Sequence, residues 1–170
     1  MKSFLFTAPI LKAKLGVLNA GKEVQTRRLT GLEEINKEQW ELSFMPMHQS
    51  ERARWVFQNK EMGKELVIKP RYFWNDVCYI REAYSTFPTH YKLDGYTLQD
   101  GEGEWHTPMF MPANLARYFV RITNVWCERF YLQKLTPRDI ELEGGEPAVN
   151  YLKTIDGKFV FIYGMVKVRI

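Results

Sequence analysis

Cysteine is scarce in this chain. The two present, Cys78 and Cys127, each lie in an apolar run of strand character, where a buried free thiol is the usual fate and a disulfide is not expected. The three histidines, His48, His90 and His106, are far apart and share no metal-ligand spacing with either cysteine. No zinc site is expected, and no cofactor. No apolar run approaches the roughly 20 residues that cross a bilayer, and the opening Met-Lys-Ser-Phe-Leu-Phe-Thr-Ala-Pro-Ile lacks the apolar centre of a signal peptide. The expectation is a cytoplasmic chain with no membrane partner. A phosphate-cradling glycine loop, a dinucleotide fingerprint, an internal repeat and a low-complexity stretch are all missing. Neither sign of charge dominates: 24 Lys and Arg against 20 Asp and Glu leave +4, a lean toward polyanions without an electrostatic footprint.

Aromatic residues are what the chain does have, 15% of it and spread along its length, which favours pleated strands over an all-helical bundle. Its 170 residues suit one domain spanning 1–170. Phe4 to Phe6 read as an opening strand, and Pro9 starts a helix carrying Ile10, Leu11, Leu15 and Leu18 that stops at Asn19 to Gly21. Val24 to Leu29 is the next strand, with Val24, Thr26 and Arg28 on one face and Gln25, Arg27 and Leu29 on the other. A brief strand follows near Trp40 to Phe44, then a hairpin in which Trp55-Val56-Phe57 and Glu65 to Ile68 flank Gly63. Asn75-Asp76 supplies a left-handed bend into a strand from Val77 to Arg81.

Residues 83–107 form a long loop whose acidic, glycine-rich part is mobile or a surface hairpin. One or two helical turns at Pro112 to Arg117 lead into a long strand from Tyr118 to Phe130. Thr136-Pro137-Arg138-Asp139 is a helix start, Gly144-Gly145 its stop, and Phe159 to Ile170 a last strand interrupted by Gly164. Together these elements describe an α+β fold, a small, mostly antiparallel β-barrel with two or three short helices.

Three motifs recur in order: Gly21-Lys22-Glu23-Val24-Gln25-Thr26-Arg27-Arg28, Asn75-Asp76-Val77-Cys78-Tyr79-Ile80-Arg81-Glu82 and Met111-Pro112-Ala113-Asn114-Leu115-Ala116-Arg117. With Tyr91 to Gly95 and Leu135-Thr136 through Glu143-Gly144 they resemble the ASCH domain family of the PUA-like superfamily, in its phage and prophage form. The resemblance covers most of the chain and implies a PUA-like barrel that presents a groove to RNA. It also implies a possible activity, since small bacterial members remove the acyl group from the exocyclic amine of cytidine. In them a threonine works with a lysine three residues before it and with a later glutamate. By motif the threonine falls on Thr26, the glutamate on Glu143 and the lysine position on Glu23, where a carboxylate cannot meet a developing oxyanion. Lys22 is adjacent, and a one-residue bulge would bring it into place.

The leading expectation is therefore an RNA, modified nucleobase or nucleoside ligand in a basic groove lined by Lys12, Thr26, Arg27, Arg28, Arg81, Glu82 and Glu143. Lys14, Lys22, Lys69, Arg71 and Arg117 extend the basic set, while Tyr72, Phe73, Trp74, Tyr91 and Trp105 offer stacking faces. One rival is a metal-independent amidohydrolase with Thr26 as nucleophile, Glu143 or Lys22 as proton acceptor and Arg27, Arg28 or Arg81 at the oxyanion. Another is an RNase whose magnesium is held by Glu82, Glu143 and a phosphate. The third is a phage factor that binds a host protein or acts in virion assembly. Each site residue also has a plain reading: Thr26 as a strand former, Arg81 or Glu82 in a structural ion pair, the lysines as solvated surface.

Overall fold

A computed structural model describes residues 1–47, 50 and 52–169, so His48 and the final Ile170 lie outside the described residues. The strands are β1 (Lys2–Leu5), β2 (Val24–Arg28), β3 (Glu41–Phe44), β4 (Trp55–Asn59), β5 (Lys64–Ile68), β6 (Val77–Arg81), β7 (Tyr84–Thr86), β8 (Thr89–Tyr91), β9 (Phe119–Arg129) and β10 (Phe159–Val168). Helices α1 (Ala8–Asn19), α2 (Pro137–Glu143) and α3 (Glu146–Thr154) are inserted between them. The main sheet has the order β1-β6-β9-β10-β2, antiparallel except for the β1–β6 pair. A second sheet is β3-β4-β5 and a third the β7–β8 hairpin. The architecture is α+β and mostly antiparallel. Its main sheet is open, with β1 and β2 as edges, and hydrogen bonding closes no barrel among the described residues.

Strand β10 explains how the layers stack. Its residues from Phe159 to Met165 are all buried, the signature of a strand covered on both faces. Phe161 and Tyr163 point into the larger core with Phe4, Ile80 and Trp55, while Val160 and Ile162 join Phe130, Ala148, Leu152 and Ile155 beneath α3. The strand is interrupted at Gly164 by a register shift between Gly164 and Met165 and continues beyond it to Val168.

Local chemistry sets the rest. Asn75 takes φ +70, the left-handed bend expected of it. Thr136 and Asp139 form a reciprocal capping box on α2, and Gly144, at φ +116, ends that helix. The chain then restarts at once, since Pro147 in the first turn of α3 suits a position whose amide needs no partner. Gly144 also lets α2 touch α1: a Cβ there would sit 3.0 Å from Ile10 Cγ2 and 3.3 Å from the Ile10 carbonyl oxygen. That close approach sets the spacing of the site.

Candidate functional site

An edge strand exposes carbonyls with no ladder partner. On β2 one of these, the Gln25 carbonyl, accepts a hydrogen bond from Lys14 Nζ, which also donates to the Leu142 carbonyl at 3.1 Å in the last turn of α2. A cation placed there meets the negative end of the helix. Lys14 reaches inward because it occupies the buried stripe of α1 with Leu11, Leu15 and Leu18. Its ammonium lies 3.7 Å from Glu143 Oε2, while Glu143 Oε1 accepts from Arg27 Nη1 at 2.7 Å. Lys14, Arg27 and Glu143 are 1%, 3% and 2% exposed. Burial lowers the Lys14 pKa from 10.5 to about 8, a shift opposed by the Glu143 charge and reinforced by Arg28 and Arg27.

Thr26 completes the group. It is buried, it lines the same pocket as Lys14 and Glu143, and its hydroxyl makes no hydrogen bond among the described residues. The pocket above it has a volume of about 650 Å³, inside the roughly 300–1,000 Å³ range of small-molecule sites. Its walls are mostly apolar and include Phe6, Ile10, Ala148 and the segment Thr107-Pro108-Met109-Phe110, with Tyr151 and Arg28 also lining it. Met109 and Phe110 are 60% and 76% exposed. Arg81 Nη1 donates to the Met109 carbonyl at 2.6 Å and Tyr79 to the Met111 carbonyl at 3.1 Å, which hold this lip in place.

The other expected residues are distributed differently from a single groove. Lys22 is exposed in a separate open cleft with Glu23, Arg138 and Asp139, so the structure brings Lys14, not Lys22, to Thr26. Glu23 is turned onto the sheet: its Oε2 accepts from Thr123 Oγ1 at 3.0 Å, and its Oε1 fills the space beside Gly164. Arg27 is withdrawn from solvent as the partner of Glu143, its guanidinium 5.4 Å from the Phe130 ring centroid. Arg28 stands over Phe6 and donates to the Leu5 carbonyl at 3.0 Å.

Glu82 is buried 2.7 Å from Arg117 Nε, and Arg117 also holds Asp94 at 2.7 Å. Desolvation lowers the Arg117 pKa, but the two carboxylates outweigh it and hold the guanidinium firmly charged. Glu82 and Lys12 line another apolar cleft, of about 460 Å³, which shares Phe6 and Pro108 with the first. The two carboxylates suggested for magnesium thus sit apart, each committed to its own arginine, and no three His, Cys, Asp or Glu groups are gathered for a metal among the described residues. Both cysteines are free and buried, their thiols pushed up to about 12 by desolvation. No described helix is long and apolar enough to cross a membrane.

Thr26 and Glu143, paired in the sequence reading, line one pocket, and with them stands Lys14, which that reading counted only among the basic residues. The signal was present: spacing 11, 14, 15, 18 puts that lysine on the apolar stripe of α1, where a solvated lysine has no reason to be. Tyr151 and the lip at 107–110 carried no comparable signal. Fold and site together define an α+β domain with a buried Lys-Thr-Glu group under an apolar pocket. No family model, curated protein or solved structure matches this chain.

Proposed function

We propose that this chain is an ASCH-type, PUA-like domain, of phage or prophage kind, that takes a nucleoside or modified nucleobase, free or carried by RNA, into the pocket above Thr26. The observation that carries the reading is the meeting of Lys14, Thr26 and Glu143 at the floor of a cavity of nucleoside size. An apolar wall suits the faces of a base, the exposed Phe110 ring supplies a stacking lip, and the buried polar floor supplies donors and acceptors for its edge. The open sheet is compatible with a barrel that is only partly closed. Calorimetric titration with a nucleoside panel and single-stranded RNA tests it. Saturable binding that disappears when Thr107→Trp fills the pocket mouth is expected, and binding unaffected by that plug contradicts the proposal.

A second reading, removal of an acyl group from the exocyclic amine of cytidine, is favoured by one specific feature. Lys14 takes the place beside the threonine that Glu23 cannot, and a pKa of about 8 leaves a share of its amine neutral near physiological pH. In this scheme Thr26 Oγ1 attacks the acyl carbon as its proton passes to the neutral Lys14 amine, and the carbonyl electron pair moves to an oxygen facing Arg28. Collapse breaks the C–N bond, and the departing cytidine amine takes the proton from Lys14. Water then attacks the threonine ester by the same route, which releases the acid and restores Thr26. Incubation with N-acetylated cytidine, followed by chromatography, should show metal-independent turnover that Thr26→Ala abolishes. No turnover by the unmodified protein would leave the binding role alone.

A further inference from the structure

Behind Arg28 lies a second, much smaller cavity of about 100 Å³, which shares Leu5 and Arg28 with the wall of the nucleoside pocket. At about 30 Å³ per water it has room for a few waters or one compact oxyanion. Arg28, Arg71 and Arg81 converge on it, and no carboxylate lines it. None of the three forms an ion pair among the described residues, and the carboxylates nearest in the fold are paired with other arginines, Glu143 with Arg27 and Glu82 and Asp94 with Arg117. Three guanidiniums around one cavity with no carboxylate among them favour an anion there, even with Arg71 open to solvent.

The uncharged groups of the cavity point the same way. Tyr163 is 0% exposed and lines it, and its phenol, close to the Arg71 and Tyr72 amides, has no hydrogen bond of ordinary geometry. Amides can only donate to the phenol oxygen, so its O–H proton has no acceptor, which costs free energy unless a ligand supplies one. Arg81 shows the same deficit: Nη1 is used by the Met109 carbonyl, but Nε is buried and unpaired. Tyr72 differs, since its hydroxyl is already given to the Ser3 carbonyl at 2.6 Å. The unpaired buried donors are therefore Arg81 Nε and the Tyr163 phenol, and Arg28 lines both this cavity and the larger one.

We propose that Arg28, Arg71, Arg81 and Tyr163 form a site for the phosphate group of a nucleotide whose base and sugar occupy the adjoining pocket. The choice of nucleotide over any other oxyanion rests on the nucleoside reading of that pocket; the anion site itself does not. Arg81 then has two duties, holding the phosphate through Nε and the stacking lip through Nη1. Phosphate occupancy and lip position are coupled through one side chain.

The test is calorimetric titration of the full chain with inorganic phosphate, cytidine and cytidine 5′-monophosphate at fixed ionic strength, repeated with Arg71→Gln and Arg81→Gln. Arg71 is exposed, so its variant is expected to fold, as circular dichroism will verify. The expected result is saturable phosphate binding, with the monophosphate about tenfold tighter than cytidine and that advantage removed by either substitution. A trinucleotide with and without a 5′-phosphate separates the sources: a gain from the terminal phosphate assigns a monoester, equal binding an internal phosphodiester, and both uphold the site. Phosphate binding without cytidine binding upholds the anion site and overturns the nucleoside reading. Cytidine binding equal to that of its monophosphate, with no phosphate binding, overturns the anion site and leaves the nucleoside reading standing.

Discussion

Lys14 is the residue on which the site turns, and its burial has a measurable cost. With a native pKa of about 8 against 10.5, the unfolded chain binds more protons than the native one between those values, so stability rises with pH across that window and is flat below it. The full rise is on the order of 3 kcal/mol. Chemical denaturation should show this slope in the unmodified protein and not in Lys14→Met; identical slopes would mean that Lys14 is not buried with its proton. In the acyl-transfer scheme the same group makes turnover increase through about pH 8. Glu23 supplies the complementary case. Because position 23 is turned onto Thr123 and Gly164, Glu23→Lys would place a lysine three residues before Thr26 in sequence without directing it to the pocket. It should cost about 1 kcal/mol of stability through the lost hydrogen bond and add no turnover in the acetylcytidine assay. Thr26 and Glu143 were legible as a strand position and a helix end, and the structure brings both to one pocket. Lys14 was legible only from its place on the apolar stripe of α1, a pattern that no short motif carries.

Among elements, the junction of α1 with α2 matters most. Gly144 permits both the left-handed helix end and the contact with Ile10, and these bring Glu143 to Lys14. Gly144→Ala should destabilise by roughly 1–3 kcal/mol through the strained φ alone. It should also weaken ligand binding more than a surface control such as Gly103→Ala, where a Cβ meets nothing within 4 Å. Equal effects on binding would detach the helix contact from the site. Most strands and the first two helices were legible in the sequence, from Pro9, the Thr136 cap and the glycine at 63. Helix α3 was not, because Gly144-Gly145 reads as a stop and the restart at Glu146-Pro147 follows without a linker. The β7–β8 hairpin was hidden for a related reason: it falls at 84–91, before the acidic, glycine-rich stretch that suggested a turn.

At the scale of the whole molecule, the basic residues do not make one groove. They are divided among the floor of the large pocket, the small cavity behind Arg28, the Glu82 cleft and the surface. The sequence fixes which residues are basic but not which sheet face or helix partner each meets, and those depend on the register of β2 against β10 and on the path of the lip. A net charge of +4 divided this way predicts binding governed more by the pocket than by salt. The most direct measurement is chemical-shift mapping of the isotope-labelled protein on addition of N-acetylated cytidine. The account predicts that shifts gather on Thr26, Thr107, Met109, Phe110 and Tyr151, around one pocket. Shifts confined to the Lys12 and Glu82 cleft, or none at saturating nucleoside, would contradict it.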